Sequence, residues 1–364
     1  MTYGNYPNFS SFKKILVVKL RHLGDVLLTG PVFTALQSAI PDARIDAYIY
    51  EEALPMLEGH SALHRCLTYD RKWKTMPLYQ RLFQEWRLLR QIRKEGYDCV
   101  INLTEGDRGA IVARISGAPV RVGFEPKRRK HWYTHLVKNC PTQRHTVERN
   151  LDVLRRMGIF PTPSQRELSL HVPPYTPPVA APYTLIHSTS RWLFKCLPIH
   201  RMRELVQTLL ARGHTLVLTS GPDEAEKKMV HAIAQDLPVT VLAGQTTLKE
   251  LAALIQQSEL LICVDSVPLH MASALKKPVV ALFGPTSDIT WGPWRNPHAR
   301  VVTQAMSCRP CYQDGCGGSK YSDCLHTLPL ASVMRAIDEV EARETRAGGA
   351  IKDGSLRQSR FGAL

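Results

Sequence analysis

Three clusters of ionisable and hydrogen-bonding residues each follow a short apolar run. The first is Lys19-Leu-Arg21-His-Leu-Gly24-Asp25-Val-Leu-Leu-Thr-Gly-Pro31, after Ile15-Leu16-Val17-Val18. The second is His187-Ser188-Thr189-Ser190-Arg191-Trp-Leu-Phe-Lys195, after Tyr183–His187. The third is Asp265-Ser266-Val-Pro-Leu-His270, after Leu260–Val264, followed by a further apolar run that ends Phe283-Gly284-Pro285-Thr286. A carboxylate behind a glycine turn, such as Asp25 behind Gly24, can take a proton from a bound hydroxyl or cap the helix that follows. Hydroxyls and backbone N–H groups beside a lysine, as in Thr189, Ser190 and Lys195, suit a phosphate, and equally a plain Ser/Thr loop. Asp265 and Ser266 open a helix whose N–H groups can face a pyrophosphate. His270 lies one turn in, as a structural residue or a ligand contact. A fourth strand end, Ser220-Gly221-Pro222-Asp223-Glu224, places an acid where a ribose hydroxyl could bind. Helix N-terminal charge explains Glu224 as well, and Glu226 competes for the same role.

These clusters need strand–turn–helix units to hold them. The apolar periodicity predicts strands at 15–20, 44–50 and 99–103 in the first half, with helices at 26–39, 78–94 and 147–157. In the second half it predicts strands at 183–187, 215–220, 239–242, 260–264 and 279–283, separated by helices at 199–212, 224–235, 248–257 and 269–275. Strand–helix alternation implies parallel sheets. Five prolines in the eleven residues 172–182 exclude a helix or central strand there and mark a linker. The expected organisation is α/β, with two Rossmann-like domains, 1–175 and 176–345, whose parallel sheets face across a cleft. A low-hydrophobicity tail, 346–364, is expected to be disordered.

The 364 residues are 44% hydrophobic, and no run approaches the ~20 apolar residues of a membrane span. The first residues carry no basic-then-apolar leader, so a cytoplasmic protein is expected. The formal charge of +15 is uneven: residues 1–175 hold 27 Lys+Arg against 16 Asp+Glu. That asymmetry asks for an anionic partner, whether nucleic acid, membrane surface or phosphorylated substrate. Leu78, Leu82, Phe83, Trp86 and Leu89 form one helical face amid arginines. It suits an anionic membrane, but a core-facing amphipathic helix is favoured. Arg128 and Arg129, in the run Lys127–Tyr133, can hold acidic groups of an acceptor or simply face solvent.

Nine cysteines in a chain without an export signal argue against disulfides. Cys308-x2-Cys311-x4-Cys316-x7-Cys324 resembles a ligand set, but its second spacing is too wide for a zinc ribbon. Buried or redox-sensitive thiols are favoured there over zinc.

The Lys-x-Arg-x-x-Gly-Asp-Val run, the Asp-Ser-x-Pro-x-His helix and the Phe-Gly-Pro-Thr strand end together resemble the lipopolysaccharide heptosyltransferases, glycosyltransferase family 9. The likeness covers about residues 13–340. The segment Gly-Cys316-Gly-Gly-Ser-Lys-x-x-Asp-Cys324 looks most like the heptosyltransferase III branch. The resemblance implies a GT-B fold and inverting transfer of L-glycero-D-manno-heptose from ADP-heptose to a heptose of the inner core. It implies an N-terminal acceptor domain and a C-terminal donor domain. Asp25 matches the catalytic base; Thr189, Ser190 and Lys195 match the diphosphate cradle; Asp265, Ser266 and His270 complete the donor site. Gly221 and Glu224 are added as donor contacts, and Arg21, Arg128 and Arg129 as acceptor contacts. The spacer between Arg191 and Lys195 is a residue longer than in the heptosyltransferase I branch, and Val267 stands where glycine is frequent.

No cofactor is required by this reading and no metal site is expected, since ADP-heptose is a substrate. Mg2+ stimulation stays open, although no Asp-x-Asp calls for it. The expected protein is a monomer in peripheral contact with the inner face of the inner membrane. Rival readings are heptosyltransferase I or II and transfer of another nucleotide sugar. A basic nucleic-acid-binding protein would need a reading module or clustered stacking aromatics, and aromatics are only 7%. A dinucleotide oxidoreductase would need Gly-x-Gly-x-x-Gly after the first strand, which is absent.

Overall fold

A computed structural model of the chain describes residues 9–126 and 128–358. Two compact units divide between His171 and Val172. The first holds six strands: β1 (Lys14–Lys19), β2 (Arg44–Tyr50), β3 (Arg65–Tyr69), β4 (Cys99–Asn102), β5 (Val120–Phe124) and β6 (His135–Val137). The second holds β7 (Thr184–His187), β8 (Leu216–Ser220), β9 (Thr240–Ala243), β10 (Leu260–Val264), β11 (Val279–Phe283) and β12 (Ala299–Thr303). The sheet orders are β3-β2-β1-β4-β5-β6 and β12-β11-β10-β7-β8-β9, and neighbouring strands pair in parallel. In both sheets the first strand of the unit lies beside the fourth, with the second and third continuing on its other side. Such a sheet changes direction between its first and fourth strands, and ligands bind beyond the carboxyl ends there. Those points are β1/β4 and β7/β10.

The central strands are near-continuous apolar runs because helices cover both faces of a parallel sheet. Ile15, Leu16, Val17 and Val18 are fully buried, as are Leu261, Ile262, Cys263 and Val264. In the second unit, Ile186, Leu218, Ile262 and Val280 pack with Leu205, Leu209 and Ile337 into one core. Local chemistry sets the helix ends. Thr247 and Glu250 form a reciprocal capping box at Leu248–Gln257. The helix Ile199–Ala211 stops just before Gly213, whose φ of 87° few other residues tolerate.

The structure departs from the sequence-based expectation in several places. β3, β5, β6 and β12 are half-exposed, mixed-composition strands that apolar periodicity does not detect. The helix expected over 26–39 is two helices, Leu23–Leu27 and Gly30–Ala39, because Pro31 lacks the N–H needed to continue the first. The helix Leu78–Glu95 does not simply face the core. It buries only Leu88 and Ile92 and leaves Leu78, Leu82, Phe83 and Trp86 in solvent. The stretch 172–182 contains neither helix nor strand. The last helix, Leu330–Gln358, runs into the segment expected to be disordered; the end of that tail, 359–364, lies outside the described residues.

A buried polar network joins the carboxyl ends of β1 and β4. Thr104 Oγ1 accepts from the Leu20 N–H at 2.7 Å. Asn102 accepts from the Thr104 N–H at 2.9 Å and donates to the Tyr133 hydroxyl at 2.6 Å. The helix Asp107–Ile115 passes so close that a Cβ on Gly109 would lie 2.3 Å from Asn102 Oδ1. Gly109→Ala should therefore displace Asn102 and cost about 1–3 kcal/mol, the usual penalty of overpacking. Urea unfolding of the purified variant measures this, and an unchanged midpoint would contradict the contact.

Candidate active site

At the β1 end the chain turns through Arg21 and His22 into the short helix Leu23–Leu27. His22, not Asp25, is the N-cap residue of that helix. Asp25 sits in the first turn, half-buried, with no hydrogen-bond or ion-pair partner among the described residues. Its carboxylate is thus left for other work. Beneath it lies Lys19, a buried amine with Nζ 3.3 Å from the Leu103 carbonyl and 3.2 Å from Asn150 Oδ1. Burial pulls the Lys19 pKa down to about 8, against the opposing pull of the Asp25 charge. Asn150 in turn donates to the Leu28 carbonyl at 3.2 Å, so the lysine is tied to the helix break that follows Asp25.

Around this point stand more charges at the same sheet edge. Arg21 donates to Glu105 at 3.3 Å. Arg149 grips the other oxygen of Glu105, meets Asn139 Oδ1 at 3.1 Å and lies 4.7 Å over the Phe124 ring. The Arg149 hydrogen bond holds the Glu105 carboxyl below its ordinary range. In the loop after β5, Arg129 pairs with Asp107 at 3.1 Å and stacks 4.6 Å over Trp132. Arg128 is exposed, and Lys127 lies outside the described residues.

The second unit gathers its site at the ends of β7, β8, β10 and β11. Asp265, only 6% exposed, accepts from Lys195 Nζ at 2.7 Å and from Thr286 Oγ1 at 2.7 Å, both on Oδ2. Lys195 keeps some contact with solvent, so its charge can still reach an anion. Thr189 is buried and donates to Glu226 Oε2 at 2.7 Å; the Gly221 N–H meets that oxygen at 3.2 Å. Glu226 therefore clasps the ends of β7 and β8. Ser190 accepts from the Trp192 N–H at 3.3 Å, and its own N–H points to Cys196 Sγ at 3.2 Å. Ser188 Oγ is buried with no hydrogen-bond partner among the described residues. Ser266 does not cap the helix Val267–Ala274; its hydroxyl turns back to the Val264 carbonyl at 3.2 Å. The first N–H groups of that helix thus keep no side-chain acceptor from Ser266, an arrangement that favours a phosphate. His270 is buried on the same helix.

Thr189, Ser190, Lys195, Gly221, Asp265, Ser266 and His270 thus follow or closely flank neighbouring strand ends, and Asp25, Arg21, Arg128 and Arg129 share the corresponding edge of the first unit. Glu224 does not join them. Its side chain is exposed and paired with Lys227, whereas Glu226 turns inward from the buried face of the same helix. One helical position decides this, and local sequence offers no way to choose between two acids two residues apart. The sequence clusters include Lys19 without a role, and they missed Glu105 and Arg149, whose charges act on Lys19 together with that of Asp25, and Thr286 as the second partner of Asp265. Arg309 was missed too: it donates to the Gly284 carbonyl at 2.6 Å behind Thr286. Only the Phe-Gly-Pro-Thr strand end offered a signal for Thr286. His187 is structural: burial drives its pKa down to about 4, and Nδ1 lies 3.0 Å from Thr219 Oγ1. Cys308, Cys311, Cys316 and Cys324 are free thiols, and burial raises Cys324 to about 11.

The sequence profile described as "Glycosyltransferase family 9 (heptosyltransferase)" matches residues 85–322. Lipopolysaccharide heptosyltransferase 3 of Escherichia coli is 33% identical over 340 residues, covering 88% of this chain and 97% of that one. A family 9 glycosyl transferase from Veillonella parvula superposes with a TM-score of 0.77 at 23% identity, over 90% of this chain and 97% of that chain. The E. coli ADP-heptose lps heptosyltransferase II structure gives 0.74 at 21% identity, over 91% and 99%. The two parallel sheets are those of a GT-B glycosyltransferase, and the chain belongs to glycosyltransferase family 9, the heptosyltransferases.

Proposed function

We propose that this protein transfers L-glycero-D-manno-heptose, with inversion, from ADP-heptose to a heptose of the lipopolysaccharide inner core, as a heptosyltransferase of type 3. The observation that carries the reading is the uncommitted Asp25 carboxylate at the β1/β4 end. Identity of 33% over 340 residues to a heptosyltransferase 3 supports the donor sugar and the acceptor class. In this scheme the first unit binds acceptor and the second binds donor. Asp25 takes the proton of the acceptor hydroxyl as that oxygen bonds to the anomeric carbon, on the face opposite the departing ADP. The bond to the diphosphate oxygen breaks, and ADP leaves with the electron pair.

The departing diphosphate gains negative charge, which needs fixed positive charge and N–H dipoles. Lys195, the Ser190 hydroxyl and the first turn of Val267–Ala274 supply them. Asp265 and Thr286 fix the lysine; Glu226 fixes Thr189 and the Gly221 backbone. The shared fold of the E. coli ADP-heptose lps heptosyltransferase II supports ADP as the nucleotide of the donor. In this scheme Arg21, Arg128 and Arg129 hold acidic groups of the acceptor, Arg21 and Arg129 while also paired with Glu105 and Asp107. Among the described residues no helix is long and apolar enough to cross a membrane. The protein acts as a monomer on the cytoplasmic face of the inner membrane, in peripheral contact with it.

Asp25→Asn should lower kcat by about 10²–10⁴, the usual contribution of a general base, with ADP affinity nearly unchanged. Steady-state turnover combined with calorimetric ADP titration tests this; a large loss of ADP binding would move Asp25 into the donor site. Lys195→Ala should weaken ADP about 10- to 100-fold, as expected for a lost charge-assisted hydrogen bond, and slow transfer as well. Unchanged ADP affinity would remove Lys195 from the cradle. Replacing Arg128 and Arg129 together by Ala should raise the acceptor KM about 3- to 10-fold and leave the donor KM alone. Equal changes in both constants would argue against acceptor contact.

A further inference from the structure

The helix Leu78–Glu95 has two apolar faces, and the first unit uses one. At about 100° per residue, Arg81, Glu85, Leu88 and Ile92 fall on one side. Leu88 and Ile92 enter the core, and Glu85 is tied to Tyr69, Arg81 and Arg108. About a third of a turn round stand Leu78, Tyr79, Leu82, Phe83 and Trp86, exposed by 68, 70, 55, 56 and 52%. Met76, just before the helix, is exposed too. A contiguous apolar surface of this kind on a folded protein marks an interaction site.

Charge identifies the occupant. Arg87, Arg90 and Lys94 on the helix, with Lys72 and Lys74 before it, are exposed and form no ion pair with another described residue. The Arg90 guanidinium lies 5.1 Å over the Trp86 ring, so a cation and an amphipathic ring share one spot. Beside them is an open groove of about 840 Å3, whose lining includes Trp86, Arg90, Arg93, Arg114 and Trp132. Glu85, the one acid between Leu78 and Lys94, has its charge spent on Arg81 and Arg108. Tryptophan, phenylalanine and leucine beside unpaired arginine and lysine are what an interfacial helix presents to anionic lipid. A second copy of this chain on the same face would set these cations against themselves.

We propose that the exposed face of Leu78–Trp86, with the arginine-lined groove beside it, docks on an anionic phospholipid bilayer. The apolar side chains enter the boundary between headgroups and acyl chains, and Arg87, Arg90 and Lys94 meet lipid phosphates. This assignment stands on the surface alone and does not depend on the transfer reaction.

Flotation of the full-length protein with vesicles tests it, using phosphatidylglycerol mixed with phosphatidylcholine, and phosphatidylcholine alone. Binding to the anionic vesicles should be at least about tenfold stronger than to neutral ones, and should weaken as salt rises. Phe83→Ser/Trp86→Ser should cut the bound fraction, and Arg87→Glu/Arg90→Glu should remove the lipid preference. Thermal unfolding checks that both variants fold, and turnover on a deacylated, soluble acceptor should match the unaltered protein. Equal binding to both vesicle types, or undiminished binding by the Phe83/Trp86 variant, would overturn the proposal. A dimer that the same substitutions dissociate, with no vesicle binding, would overturn it in favour of a second copy.

Discussion

A parallel strand buried on both faces has no water to satisfy its backbone, so its polar groups must pair within the sheet or be met at its ends. This constraint shapes both units. Each sheet is closed to solvent along its central strands, and polar chemistry collects where those strands stop. The shared strand order then makes one place in each sheet special. Beyond β1 and β4, and beyond β7 and β10, successive connections diverge and leave the strand ends open to a ligand.

What fills the two ends differs in charge logic. At β7/β10 the charged groups satisfy one another: Lys195 with Asp265, Thr286 with Asp265, Thr189 with Glu226. Such pairs hold the groups in place beforehand. At β1/β4 the surrounding charges are paired, Arg21 and Arg149 with Glu105, while Asp25 itself is left over among the described residues. The Asp25 carboxylate is thus the one acid of that cluster that no neighbouring cation engages by hydrogen bond or ion pair among the described residues.

The same economy explains the helix Leu78–Glu95. Its core-facing side is consumed by Leu88, Ile92 and the Glu85 network. Its other side is apolar and cationic, and Arg87, Arg90 and Lys94 there pair with no acid among the described residues. The unpaired cations on this helix are part of the excess of base over acid in residues 1–175.

Sequence by itself determined the strand–helix alternation, the boundary near the prolines, and the clusters at 19–31, 187–195 and 265–286, because buried parallel strands read as uninterrupted apolar runs and glycine turns punctuate them. Asp25, Thr189, Lys195 and Asp265, which follow the apolar strands β1, β7 and β10, were legible as candidates for that reason. Edge strands β3, β6 and β12, and β5 beside the edge, were not, since half-exposed strands mix polar with apolar residues. Only the tertiary structure decided which of two nearby acids turns inward, Glu226 rather than Glu224, and which face of Leu78–Glu95 stays in solvent. It alone brought Thr286 to Asp265 and Arg149 to Glu105, pairs 21 and 44 residues apart. Local periodicity fixes the faces a helix has, but which face is buried depends on what the sheet and its neighbours bring against it.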